Sequence, residues 1–136
     1  MNKIKVFSGT SNLKLSKSIC KKLKLPLGKL EIKRFNDGEI FVEVDESVRG
    51  SNAYVIQSTS SPVNENLMEL FIIVDALKRA AVNEITAVIP YLGYSRQDRK
   101  VTDISPITAR LVCDLLIRSG IKKVLTWDLH AGQTQG

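Results

Sequence analysis

Six short apolar runs rich in β-branched residues recur along the chain, at Ile4 to Phe7, Leu30 to Phe35, Ile40 to Val44, Ala53 to Ile56, Ile85 to Ile89 and Val124 to Trp127. Runs of this length and make-up predict strands. Between them, apolar residues return every three or four positions in three segments, and this spacing predicts helices. Segment 12–24 carries the stripe Leu15, Ile19, Leu23; segment 63–82 carries Leu67, Leu70, Phe71, Val74, Leu77 and Ala81; segment 106–119 carries Ile107, Leu111 and Leu115. The last two are preceded by Ser61-Pro62 and Ser105-Pro106, the serine expected as cap and the proline as first helical residue, and Gly120 is placed to end the third helix. The predicted order is β-α-β-β-β-α-β-α-β.

Strands alternating with helices, several of the strands apolar on both sides, point to an α/β domain with a mostly parallel sheet covered by helices on its faces. The segment 30–44 differs. Its second strand alternates around Glu43 and follows Asn36-Asp37-Gly38-Glu39, so it is expected to form a β-hairpin with an Asp-Gly turn that protrudes from the sheet. With no repeats or linkers, residues 1–136 are expected to be one domain. The chain stops just after a strand and loop without a closing helix, which suggests a fragment.

Composition narrows the function classes. At 43% hydrophobic and 25% charged residues over 136 positions the sequence is that of an ordinary globular domain, not a disordered or fibrous chain. The longest apolar stretch, Leu70 to Leu77, is interrupted by Asp75 and falls far short of the ~20 residues a membrane span needs. No apolar leader follows Met1, so a cytoplasmic location is expected. Cys20 and Cys113 lie in helical patterns without a Cys or His at ligand spacing, and are expected to be buried free thiols. The net charge of +6 concentrates in residues 1–34, where ten bases face one acid, Glu31. That is compatible with a nucleic-acid module. However, Lys14, Lys17, Lys21, Lys22 and Lys24 lie opposite an apolar helical stripe with no aromatic residue among them to stack a base, so a solvated helix face is the better reading.

In open parallel sheets, ligands bind beyond the carboxyl ends of the strands. Ser8-Gly9-Thr10 and Ser58-Thr59-Ser60-Ser61 occupy such positions, and two further loops there carry candidate chemistry. The first, Pro90 to Lys100, sets Arg96, Arg99 and Lys100 within five residues, where guanidinium forks and an ammonium suit a polyphosphate. On charge alone, a solvated loop with arginines paired to Asp98 explains it better; Tyr91, Tyr94 and the strand-end location tilt the reading towards an anion. The second, Asp128 to Gly136, holds the only histidine. Asp128 and His130 are two apart, so in extended backbone both point to one side, where they could share a divalent cation; a lone structural histidine is the alternative. A third constellation, Arg34 to Glu39, puts Phe35 beside Asp37 and Glu39: a ring to stack on a purine with carboxylates to accept from its amine, or an acidic hairpin tip with Phe35 in the core. No G-x-x-x-x-G-K-[ST] phosphate cradle is present.

The blocks R-F-N-D-G-E, S-S-P-V-N-E-N-L-M-E-L, P-Y-L-G-Y-S-R-Q-D-R-K, S-P-I-T-A-R-L-V and D-L-H-A-G-Q-T-Q-G, in this order, resemble the amino-terminal half of the ribose-phosphate diphosphokinases (phosphoribosyl pyrophosphate synthases). The resemblance implies a type I phosphoribosyltransferase-like fold and Mg2+-dependent transfer of the β,γ-diphosphoryl group of ATP to ribose 5-phosphate, yielding phosphoribosyl pyrophosphate and AMP. It implies that Phe35, Asp37, Gly38 and Glu39 hold the adenine end of ATP, offered to a neighbouring subunit of a hexamer. Arg96, Gln97 and Arg99 would contact the nucleotide and its phosphates, and Asp128 and His130 would serve the metal. The partners so implied are ATP, ribose 5-phosphate and further copies of the chain, with no nucleic acid and no membrane.

This sequence departs from the family in two places. After R-Q-D-R-K the family usually continues with further basic residues, whereas here stand Val101-Thr102-Asp103-Ile104-Ser105. The family's catalytic lysine, second metal-binding aspartate and acidic ribose-phosphate loop would all fall after Gly136, so no catalytic residue is expected within the chain and it is expected to be inactive alone. The alternative is a non-catalytic, synthase-associated regulatory subunit.

Overall fold

The computed structural model describes residues 3–127. The elements follow the expected order: β1 (Ile4–Ser8), α1 (Leu13–Leu23), β2 (Leu30–Arg34), β3 (Ile40–Val44), β4 (Asn52–Ile56), α2 (Val63–Arg79), β5 (Glu84–Val88), α3 (Thr108–Ser119) and β6 (Lys123–Leu125). Four strands form a parallel sheet in the order β1-β4-β5-β6, and β2 and β3 pair antiparallel as a separate hairpin. No helix among the described residues is long and apolar enough to cross a membrane.

Alternation along the strands divides the core. Phe7, Val55 and Ala87, in register across β1, β4 and β5, face one side, where they pack with Leu70, Ile73, Val74 and Leu77 of α2 and Val112 and Leu116 of α3. Val6, Ile56 and Val88 face the other side and meet Cys20 and Ile19 of α1. The hairpin forms an outer layer on the α2 side: Leu30 opposite Val44 and Ile32 opposite Val42 pack towards α2, while Glu31, Lys33 and Glu43 are exposed. Its far end is tied to β1, where Lys5 pairs with Glu46 and the Lys29 amide donates to Glu46 Oε1 at 2.7 Å.

Several local expectations need correction. Serine caps neither α2 nor α3. The Pro62 carbonyl accepts the Asn66 amide at 3.0 Å, so α2 begins one residue later, and α3 begins only at Thr108 because the Ser105 hydroxyl accepts instead from the amides of Val101 and Thr102 at 2.8 and 2.9 Å. Gly120 does close α3, its amide donating to the Ile117 carbonyl at 3.0 Å. The stripe Ile107, Leu111, Leu115 faces out, with Leu111 55% exposed; Ala109, Val112 and Leu116 are buried instead. In α1 the buried residues are Ser16 and Cys20, with Leu23 mostly exposed. Both helices carry apolar residues on more than one side; in α1 the small Ser16 and Cys20 let the buried side approach its neighbours closely, and α3 buries Val112 and Leu116 against the sheet core. Cys20 is buried as expected, its thiol pushed up by burial, but Cys113 is only half-buried.

Candidate functional site

The alternation that aims Leu30 and Ile32 at α2 also aims Arg34 there, and sends Phe35 outward. At the turn the Phe35 amide donates to the Glu39 carbonyl (2.8 Å), the Gly38 amide to the Phe35 carbonyl (2.9 Å) and the Glu39 amide to Asp37 Oδ1 (3.0 Å). Gly38 sits at φ +95°, a region that side-chain-bearing residues avoid. The Asp-Gly turn is therefore as expected, but Phe35 is not in the core. It is 52% exposed, its ring edge-on to Phe41 at 6.1 Å, with the carboxylates of Asp37 and Glu39 exposed beside it.

The loop following β5 is fastened to the one following β4. Thr59 donates its amide (3.0 Å) and hydroxyl (3.1 Å) to the Tyr91 carbonyl and accepts the Gly93 amide at 2.7 Å, while Ser58 accepts the Tyr91 amide at 3.2 Å. Further along, the Gln97 carbonyl accepts the Ala109 amide at 2.9 Å, tying the loop to the start of α3. Between this loop and residues 62–65 at the start of α2 lies a cleft of about 420 Å³, walled by Tyr91, Tyr94, Arg96 and Gln97. The Tyr94 hydroxyl donates to Asn64 across it. Arg99 is exposed on the same loop, outside the cleft lining. Arg96 and Arg99 make no ion pair with Asp98 or any other carboxylate among the described residues. Local neutralisation therefore does not account for the loop, and its guanidiniums remain available to an anionic ligand.

Asp128 and His130 lie outside the described residues. Strand β6 runs beside β5 as far as Leu125, three residues short of Asp128. Among the described residues no three His, Cys, Asp or Glu side chains gather as a metal site. A second depression, on α1, is lined by Lys14, Lys17 and Lys21, the lysine face anticipated as solvated.

Sequence reasoning missed a buried polar hub behind these loops. Glu69 of α2, fully buried, accepts from the Thr10 amide (2.6 Å), the Thr10 hydroxyl (2.8 Å), Gln57 Nε2 (3.0 Å) and Arg34 Nη2 (2.9 Å). Gln57, also buried, accepts the Ser11 amide and hydroxyl at 3.1 and 2.7 Å. A Cβ at Gly9 would lie 2.1 Å from Gln57 Oε1, so only glycine lets the β1 loop close over this amide. Two signals were available: Glu69 falls between Asn66 and Ile73 on the buried side of α2, and parity along β2 turns Arg34 inward.

A family model described as the N-terminal domain of ribose phosphate pyrophosphokinase matches residues 4–120. Ribose-phosphate pyrophosphokinase of Fusobacterium nucleatum is 57% identical over 135 residues, covering 99% of this chain and 43% of that protein. The Clostridium tetani enzyme of the same name is 58% identical over 133 residues, covering 98% and 42%. Among solved structures, phosphoribosylpyrophosphate synthetase from Mycobacterium smegmatis superposes with a TM-score of 0.96 at 42% identity, over 99% of this chain and 45% of that one. The chain thus spans less than half the length of the relatives it matches.

Proposed function

Because the chain belongs to the family of the N-terminal domain of ribose phosphate pyrophosphokinase, we propose that it forms the nucleotide-binding half of a ribose-phosphate diphosphokinase. The reaction transfers the β,γ-diphosphoryl group of ATP to the anomeric hydroxyl of ribose 5-phosphate, releasing AMP and phosphoribosyl pyrophosphate. The observation that carries this reading at the site is the cleft of about 420 Å³ in which Arg96 and Gln97 meet the start of α2, Glu65 included, with no ion pair to Arg96 among the described residues.

In this reading Phe35 stacks on the adenine, and the exposed carboxylates of Asp37 and Glu39 accept hydrogen bonds from its amine while Gly38 maintains the turn. Arg96, Gln97 and Arg99 contact the phosphates, and the guanidiniums stabilise the charge that moves onto the departing phosphate oxygens. Asp128 and His130 hold Mg2+, for which the aspartate offers the preferred oxygen donor. The ion, when bound, neutralises phosphate charge. The hairpin tip serves the cleft of a neighbouring copy in a homo-oligomer, a hexamer for the complete protein, which works in the cytoplasm. In this reading residues 1–136 alone do not turn over: the resemblance puts the groups that bind ribose 5-phosphate in the part of the relatives that this chain does not span.

The test is AMP release from ATP and ribose 5-phosphate with Mg2+, measured for the complete polypeptide and for residues 1–136. Release by the first and none by the second is expected. No release by the complete polypeptide, or turnover by residues 1–136, would overturn the corresponding part of the reading.

A further inference from the structure

Glu69 is the one fully buried carboxylate among the described residues, and burying a charge is costly unless its partners compensate. Its partners come from three directions: Thr10 on the loop after β1, Gln57 just after β4, and Arg34 at the end of β2. Thr10 and Gln57 already satisfy the carboxylate from the sheet side. Arg34 reaches it from the hairpin, one residue before Phe35, through a guanidinium that is 35% exposed.

The opposite end of the hairpin is tied separately, through Lys5, Lys29 and Glu46. That tie fixes the far end of the hairpin and does not by itself set the bearing of the tip. Apolar packing of Ile32 and Val42 on α2 holds the hairpin down but is non-directional, whereas the Arg34–Glu69 hydrogen bond has a direction. We infer that Glu69 is a positioning residue: by holding Arg34 it sets the bearing at which Phe35, Asp37 and Glu39 are presented to the nucleotide base. This rests on the reading of the hairpin tip as the adenine holder.

The effect belongs in the affinity for ATP, since the hairpin holds the base and not the phosphates. In the complete polypeptide, Arg34→Ala and Glu69→Gln are each expected to raise KM for ATP at least about fivefold and to weaken the preference for ATP over GTP. The kcat and the KM for ribose 5-phosphate should stay within about twofold. Arg34→Lys, which keeps the charge, restores most of the ATP affinity. Glu46→Gln, at the other end of the hairpin, lowers the melting temperature but leaves KM for ATP within about twofold.

Phe35→Ala separates the two claims. If it leaves KM for ATP unchanged, the adenine reading itself fails. If it raises that KM while folded Arg34→Ala and Glu69→Gln do not, the positioning role is overturned with the adenine reading intact. A lower kcat together with a rise in both KM values, in step with a lower melting temperature, would also overturn it, by reducing Glu69 to a purely structural group. Should Glu69→Gln fail to fold, Arg34→Ala, which removes only a partly exposed side chain, decides alone.

Discussion

The hairpin and the loop after β5 both carry candidate nucleotide contacts, yet their polar ties differ. The hairpin packs its apolar side on α2 and is tied at each end by a side-chain ion pair: Lys5 with Glu46 at one, Arg34 with Glu69 at the other. The loop is fastened by hydrogen bonds involving its backbone, to Thr59, to Ser58 and to the start of α3, and its guanidiniums take no part in the fastening. A loop that keeps its guanidiniums out of its own scaffold can give them to a ligand; among the described residues only Lys100 of its three cations bonds locally, to the Asp103 carbonyl at 3.4 Å. A hairpin that uses an arginine as an anchor must recognise its ligand with what remains, an aromatic ring and two exposed carboxylates. The former arrangement suits phosphates, the latter a base.

The largest expected effect breaks the hairpin's anchor. Glu69→Ala leaves Arg34, Gln57 and Thr10 without their shared acceptor and should cost about 3 kcal/mol of stability, chiefly through buried donors left unsatisfied, read from denaturant unfolding. Next, Arg96→Ala in the complete polypeptide should lower kcat/KM for ATP roughly a hundredfold without changing the melting temperature, because this guanidinium makes no ion pair among the described residues. A fall in melting temperature would erase the contrast between the two regions. Thr59→Val should cost about 1 kcal/mol, since it removes one hydroxyl's bonds while the Thr59 amide still donates to Tyr91.

The smallest effect concerns the hairpin's other end. Burial tends to raise the Glu46 carboxyl, but the hydrogen bonds from Lys5 and the Lys29 amide, with the nearby lysine charge, outweigh it and hold the group below its ordinary value. A carboxyl depressed in the folded state contributes stability that is complete above its unfolded value, about 4.3, and is lost as pH falls through the folded one. The melting temperature should therefore decline on acidification below about pH 4, and in Glu46→Gln that decline should be shallower.

How much of this was legible in the sequence depends on whether the signal was local. The Asp-Gly turn was readable because its geometry depends on four adjacent residues. The element order β-α-β-β-β-α-β-α-β was readable for the same reason: periods of two and of three to four are properties of short segments. The outward placement of Ile107, Leu111 and Leu115 was not, because α3 offers more than one apolar side and its own residues do not choose between them. Ser105 likewise had a local use competing with the cap, and the loop amides of Val101 and Thr102 took it.

The sequence by itself determined the α/β class, the hairpin with its turn, and the position of Arg96, Gln97 and Arg99 beyond the carboxyl end of a strand. Only the tertiary structure decided that Phe35 stands in solvent, that Arg96 and Arg99 are unpaired by Asp98, and that Glu69 draws Thr10, Gln57 and Arg34 to one point. The physical reason is range. Backbone preference and hydrophobic period act over a few residues, whereas the satisfaction of a buried charge joins groups up to 59 positions apart, as Thr10 and Glu69 are, and exists only once the layers have packed.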